Sequence, residues 1–270
     1  MNADFFYTTA FGRGVLGLMQ RMHIFRPVAR FLHTKASRIM IPNYIKKNGI
    51  DMTPYGDRAY LSFADFFGRK REDIVFDSDP CALTAPCDSL LSVHDITEGL
   101  EIPMKGSLYT IPDLIPDRET AELFGGGLCL VFRLEASDYH HFCYFDDIYS
   151  IETFFVPGQL HSVQPIALRH YPVFRLNRRW CSVLKTAHFE TAVQTEIGAM
   201  AVGGVTLAEN SGVMKKGDEM GNFELAGSTI VLLLKKNIKD RLELFAEKAD
   251  KEVRVRIGQT IGRLKNEDQT

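Results

Sequence analysis

The chain has 270 residues and a formal net charge of −2, with apolar, aromatic and charged fractions of 45%, 11% and 24%. Those are the proportions of an ordinary folded protein long enough to bury a large core, in one large or two small domains, so disorder is excluded as the default. The near-neutral charge argues against a general nucleic-acid binder, yet it averages over an asymmetry. Residues 1–50 hold eight Arg and Lys against the single acid Asp4, about +7 for the segment and about −9 for the remainder.

The cysteines are Cys81, Cys87, Cys129, Cys143 and Cys181. Their number is odd, none form a Cys-x-x-Cys pair, and no His/Cys set has zinc spacing. A disulfide scaffold and a metal site are therefore not expected, and a reducing cytosol is the natural setting. No apolar run approaches the roughly 20 residues that span a bilayer, and the first residues lack a secretory-type apolar core. A soluble or peripherally attached protein is expected.

In chain order, Phe11 to about Ile45 reads as helical. Its apolar residues are interleaved with Arg21, Arg26 and Arg30 and interrupted by Pro27, a pattern that fits either a helix lying in a membrane interface or a helical pair with a solvated basic face. Leu61–Arg69 predicts an aromatic-rich short helix ended by Gly68. From Ile74 the pattern turns to strands: Ile74–Phe76, Ala82–Leu83, Ser89–Val93, and Leu128–Leu134 after the glycines at 125–127. A turn at Lys105-Gly106 and one short helix at Ile111–Ile115 fall between them. Further strands are expected at Tyr139–Phe145, Ser150–Val156, Ala192–Glu196 and Ala199–Val205. A polar turn at Lys215–Gly221 leads to the apolar strand Ile230–Leu234. Asp240–Ala249 has helical spacing, and Val253–Ile257 alternates as an edge strand does. The expected fold is α+β: a helical, basic arm over residues 1–70 and a predominantly β, sandwich- or barrel-like domain over 71–270.

Chemistry concentrates in a few places. Gly227-Ser228-Thr229 puts hydroxyls where a flexible turn meets a rigid strand; in isolation it is an ordinary loop end. Asp88, after Pro86-Cys87, is a carboxylate in a turn. Asp138-Tyr139-His140-His141-Phe142-Cys143 packs two imidazoles and a thiol into one strand, and alternation puts His140 with Phe142 and His141 with Cys143. No third ligand at sensible spacing supports a metal there. Pro157–Pro165 could line a pocket. Asp, His and Ser in this order would make a charge relay if folding joined them.

Together these segments resemble the phosphatidylserine decarboxylases, over about Phe63 to Thr229. Phe63–Arg69 is similar to the family's F-x-x-F-F-x-R, Pro86–Ser89 to P-x-D-G, Asp138–Cys143 to D-Y-H-R-x-H, and Pro157–Pro165 to P-G-x-L-x-S-V-N-P. Asn177-x-Arg179 and Gly198-Ala199 with Val202-Gly203 follow. Lys215–Thr229 is similar to K-G-x-E-M-G-x-F-x-x-G-S-T. The resemblance implies self-cleavage between Gly227 and Ser228. Ser228 Oγ attacks the preceding carbonyl, elimination leaves a dehydroalanine, and its hydrolysis, releasing the nitrogen as ammonia, gives a covalent pyruvoyl group, the cofactor, on a small chain that stays paired with the large one. That group forms a Schiff base with the serine amine of phosphatidylserine, carbon dioxide leaves, and phosphatidylethanolamine results. The resemblance also implies an anionic membrane surface as partner, at the cytoplasmic face of the cell membrane, and leaves room for a homodimer.

Three positions depart from the family pattern. Ser89 replaces glycine, Gln164 replaces asparagine, and Cys143 replaces the histidine thought to complete the Asp-His-Ser relay. Either His140 or His141 then serves, or Cys143 acts as a thiolate, or cleavage is slow or lost. The expected catalytic set is Asp88, His140 and Ser228, with His140 as base and proton donor and Cys143 in the relay position. A non-cleaving lipid-binding relative, a pyruvoyl decarboxylase of another amine-bearing carboxylate and a carrier-type β domain are the competing readings; the last lacks an exposed lysine at a hairpin tip.

Overall fold

The computed structural model describes residues 25–104, 107–159, 172–198, 204–210, 212–225, 228–245 and 251–265, with 5, 8, 9, 11, 12, 15, 161, 162 and 167 besides. Of the expected features, the helical run around Leu16–Ile24, the Lys105-Gly106 turn, the Val163–Pro165 segment, most of Ala199–Val205 and Gly227 lie outside these residues.

The helical segment contains α1 (Phe25–Leu32), a 3-10 turn (Lys35–Met40), α2 (Ile41–Asn48) and α3 (Phe63–Phe67). Ser62 caps α3 by accepting the Asp65 N–H, and Gly68 ends it. Phe63, Phe66 and Phe67 bury their rings with Leu32, Ile50, Tyr60 and Leu225, so the helical segment is fastened to the chain just ahead of Ser228. Val28, Phe31, Ile39 and Met40 stay exposed, Ile39 by 83%. Among the described residues no helix is long and apolar enough to cross a membrane.

The strands are β1 (Ala82–Thr84), β2 (Ser89–Asp95), β3 (Glu101–Met104), β4 (Ser107–Thr110), β5 (Leu128–Leu134), β6 (His141–Cys143), β7 (Ile148–Val156), β8 (Arg179–Thr186), β9 (Thr191–Ile197), β10 (Val205–Leu207), β11 (Glu219–Phe223), β12 (Ser228–Leu234), β13 (Leu242–Leu244), β14 (Val253–Val255) and β15 (Thr260–Leu264). A seven-stranded sheet runs β14-β2-β5-β12-β9-β8-β7; two three-stranded sheets run β1-β15-β13 and β10-β11-β6. All named pairings are antiparallel. The sheets are open, so the architecture is a sandwich and not a closed barrel.

Both faces of the large sheet are covered. Ile230, Leu232 and Leu234 of β12 join Phe132, Phe142, Met220, Phe223 and Ile261 on the face under the small sheets. Val231 and Leu233 join Ile111, Leu114, Phe124 and Phe174, from the helical connections, on the other. This double burial explains why Ile230–Leu234 is an unbroken apolar run and not an alternating one. Each such side chain contributes roughly 1.5–3 kcal/mol.

Three expectations are corrected. Ile74–Phe76 has no strand; Val75 is exposed, while Ile74 and Phe76 lean against the Tyr139, Cys143 and Ile257 cluster. The helix expected from Asp240 is instead Lys236–Arg241, and Leu242 and Leu244 belong to β13, paired with β15. Their spacing of two is a strand period as much as a helical fragment. Arg179–Thr186, with no strand assigned, is β8, buried between β7 and β9.

Candidate active site

The corner where the large sheet meets the β10-β11-β6 sheet organises the site. In the large sheet β12 lies between β5 and β9, and in the small one β11 lies between β6 and β10. Three strand pairs therefore leave one sheet for the other side by side, a sheet-switching corner. The middle crossing is the segment Phe223–Ser228. Ser228 is the first residue of β12, 2% exposed and opposite Leu134.

His140 is brought to this crossing by main-chain pairing. The Phe223 N–H donates to the His140 carbonyl at 2.9 Å, while Leu134 pairs with Ser228. Leu134 and His140 are thus tied by main-chain pairing to Ser228 and Phe223 respectively. The imidazole is wholly buried, 4.1 Å from the Phe67 ring between centroids, and its Nδ1 lies 2.9 Å from the main-chain carbonyl of Asp138. That carbonyl can only accept, so Nδ1 carries the proton and Nε2 presents a lone pair. Nε2 is buried with no hydrogen-bond partner. Burial, with Arg69 and His141 nearby, holds the ring down at about 3, so it is neutral at pH 7.

His141 is engaged differently. Nδ1 is 3.0 Å from Glu219 Oε1, Nε2 is 3.1 Å from the Gly68 carbonyl, and the ring stacks on Tyr139. Both nitrogens are committed to holding β6, β11 and α3 together. Cys143 lies on the same side of β6 as His141, as alternation requires. It packs with Tyr139 and Ile257 and donates its main-chain N–H to the Pro86 carbonyl at 3.0 Å. Burial, together with the charges of Glu219 and Asp218, pushes its thiol up to about 12, so at neutral pH it is no thiolate.

Asp88 is held elsewhere. Oδ1 accepts the Ile257 N–H at 2.8 Å, and Oδ2 lies 3.4 Å from Arg71 Nη1, at the mouth of a cavity of about 280 Å³ that Asp138 and Arg254 also line. His140 takes its orienting hydrogen bond from the Asp138 main chain and not from Asp88. Asp138 in turn bonds the Glu135 N–H at 2.7 Å and Arg254 Nη1 at 2.7 Å. Arg69, buried under Tyr55 and Phe66, donates to the Ser137 and Asp138 carbonyls. This scaffold fixes the loop that carries His140.

The other side of Ser228 was not singled out from sequence. Ile197 pairs with both Arg179 and Thr229. One residue away, Arg178, Gly198 and Ser228 fall in a row, and the Gly198 N–H donates to the Arg178 carbonyl at 3.1 Å. Arg178 also lines a cavity of about 160 Å³, together with Phe155, Trp180 and Gly204 among others. Asn177 fixes this edge, bonding the His161 N–H at 2.8 Å and the Gly198 carbonyl at 2.7 Å; this gives the Asn-x-Arg segment a structural purpose.

The family profile for phosphatidylserine decarboxylase matches residues 63–263. The chain belongs to the phosphatidylserine decarboxylase family. It is 38% identical over 265 residues to phosphatidylserine decarboxylase proenzyme 2 of Clostridium acetobutylicum, an alignment covering 96% of this chain and 90% of that one. It is also 34% identical to the proenzyme of Ruminiclostridium cellulolyticum, over 95% of this chain and 89% of the relative. The proenzyme of a Clostridium botulinum strain is 33% identical, over 95% and 90%. By name all three relatives are precursors. Both ends of the family resemblance, α3 and the strand after Gly227, border the corner described above.

Proposed function

We propose that this chain is the precursor of an enzyme that converts phosphatidylserine to phosphatidylethanolamine, and that Ser228 is the residue converted to its pyruvoyl group. The observation that carries the reading is the buried, unpartnered Nε2 of His140, on a loop tied at both ends to the segment Phe223–Ser228. A neutral imidazole with a free lone pair can take the proton of a serine hydroxyl that is otherwise a weak nucleophile. Ser228 Oγ then attacks the Gly227 carbonyl, and elimination separates residues 1–227 from 228–270. The residues suit such a group: the hydroxyl sits at a buried strand end, and His140 offers an acceptor with nothing else to bind.

When formed, the pyruvoyl group supplies a carbonyl that captures the substrate amine and draws electrons as carbon dioxide leaves. The chain's own residues do the rest. Arg178, with Glu224 as its charged neighbour, lines the cavity and offers a cation to the anionic headgroup, with Phe155 and Trp180 against its apolar parts. His140, once protonated, returns the proton that completes the product. Residues 1–70 form the membrane-facing arm: exposed Val28, Phe31, Ile39 and Met40 stand among Arg30, Lys35 and Arg38. An anionic leaflet attracts each such cation by roughly 1 kcal/mol, which supports a peripheral position at the cytoplasmic face. Residues 71–270 form the catalytic body.

Intact mass of the purified protein tests the reading. Two chains are expected, the smaller starting at position 228 and blocked to N-terminal sequencing, and Ser228→Ala should remain one chain. A wild-type protein that stays whole under all conditions would favour a non-cleaving lipid-binding relative. Carbon dioxide release from free serine but not from phosphatidylserine would favour the other pyruvoyl reading.

A further inference from the structure

One acid inside the sandwich has no place in the reading above. Glu196 is wholly buried on β9, directly opposite Ile230 and in register with Trp180 on β8. Its Oε1 accepts from Gln194 Nε2 at 2.9 Å, and Gln194 Nε2 also meets the sulfur of Met220 at 3.2 Å. Glu196 Oε2 has no hydrogen-bond partner, and neither has Gln194 Oε1. A carboxyl kept in an apolar layer with one oxygen unsatisfied costs stability, and such a group calls for an explanation.

Register supplies one. Side chains two apart on a strand share a face, so Ser228 and Ile230 leave β12 on the same side as Glu196. Glu196 is therefore the diagonal neighbour of Ser228. Diagonal neighbours stand roughly 7–8 Å apart, within reach of a long side chain. His140 lies on the segment that follows β5, which pairs with Ser228 through Leu134 on one side of β12, and Glu196 lies on β9 on the other side.

Resting on the self-cleavage reading, we propose that Glu196 is the acid partner of His140, giving the proton that the Ser228 nitrogen needs in order to leave. As the Ser228 Oγ–carbonyl carbon bond forms, the hydroxyl proton passes to His140 Nε2. The bond between the Gly227 carbonyl carbon and the Ser228 nitrogen breaks with its electron pair on nitrogen, which takes the Glu196 proton and becomes an amine. Glu196 is left as carboxylate and His140 as imidazolium, with no change in net charge, and transfer of the proton from His140 back to Glu196 restores both.

The environment holds each group in the required form. Burial raises the Glu196 carboxyl to about 8, so it keeps its proton at neutral pH. The titratable groups facing it are the Tyr144 phenol and, across the sheet, the Cys181 thiol, both raised by burial; among the described residues no cation pairs with it. Both groups are neutral, His140 presenting a lone pair and Glu196 retaining its proton. Such divergence marks an acid and its base.

The test is the rate of precursor self-cleavage against pH, read on a gel from full-length protein stopped during refolding. The wild-type rate is expected to fall as pH rises through about 8. Glu196→Gln keeps the shape without the proton; it should cleave at least about a hundredfold more slowly with a flat profile over that range. Glu196→Asp should recover part of the rate and the pH dependence. A folded E196Q protein that matches wild type in rate and profile overturns the proposal. If E196Q fails to fold, a wild-type rate that is level from pH 6.5 to 9.5 overturns it instead. A wild-type chain that never cleaves sinks both this inference and the function it rests on, whereas cleavage indifferent to Glu196 sinks the inference alone.

Discussion

Glu196 stands directly across the sheet from Ile230, and so shares a face with the Ser228 hydroxyl two residues earlier. His140 borders the same crossing from the opposite flank. Both side chains are buried, and they titrate in opposite directions from their ordinary values.

This opposition predicts the pH dependence of stability, best measured by urea unfolding of the uncut Ser228→Ala precursor. Glu196 is raised to about 8 from 4.5, so between those values the folded state alone holds its proton and stability falls as pH rises. His140 is lowered to about 3 from 6.5, so between those values the unfolded state alone holds its proton and stability falls as pH drops. The two slopes cancel from about 4.5 to 6.5. Outside that window each has a slope of roughly 1.4 kcal/mol per pH unit. Glu196→Gln should remove the alkaline limb and His140→Gln the acid one. Retention of both limbs in both variants would show that other groups control them.

Cys143→Ala should cleave at close to the wild-type rate. Its thiol is neutral at any physiological pH and packs with Tyr139 and Ile257. Loss of that packing costs about 1 kcal/mol. Restoring the family's histidine by Cys143→His should instead overfill the cluster, at about 1–3 kcal/mol. A C143A chain that folds yet never cleaves would return the thiol to the relay.

Arg178→Gln is expected to raise KM for phosphatidylserine about tenfold or more, since the side chain lines the cavity. A loss of one charged hydrogen bond is worth roughly 1.5–3 kcal/mol. An unchanged KM would move the headgroup elsewhere.

Replacing Ile39 and Met40 by Ser should weaken binding to vesicles containing anionic lipid without altering cleavage. Both residues are exposed, beside Arg38, and each exposed apolar side chain inserted into the interface contributes on the order of 1 kcal/mol. Flotation of vesicles at low and high salt measures this. Equal recovery of wild type and variant would assign the exposed patch to something other than lipid.

The sequence makes the central strand and the C-terminal end of α3 plain, because a long apolar run and a glycine stop are strong local signals. It conceals β8, where Arg179, Ser182 and Lys185 interrupt the apolar pattern; the guanidinium of Arg179 is consumed by main-chain carbonyls, including those of Leu114 and Asn177. Glu196 is hidden for a related reason. Gln194 and Glu196 alternate with Val193, Thr195 and Ile197 just as a solvent-facing row would, and only the β10-β11-β6 sheet lying over them reveals that this face is internal. His140 is legible as a candidate, but its orienting partner is not: a main-chain carbonyl of Asp138 leaves no side-chain signature.

The position of β12 has a consequence for the life of the molecule. Ser228–Leu234 is the middle strand of the large sheet, and β13, β14 and β15 of the same fragment join two different sheets. Under the proposed cleavage before Ser228, the precursor therefore assembles as one chain before its backbone is cut. Afterwards the same architecture consists of two polypeptides with no covalent link. Renaturation, first-order for the precursor, then becomes a bimolecular encounter, so dilution that the uncut protein tolerates should make denaturation of the processed one a one-way event.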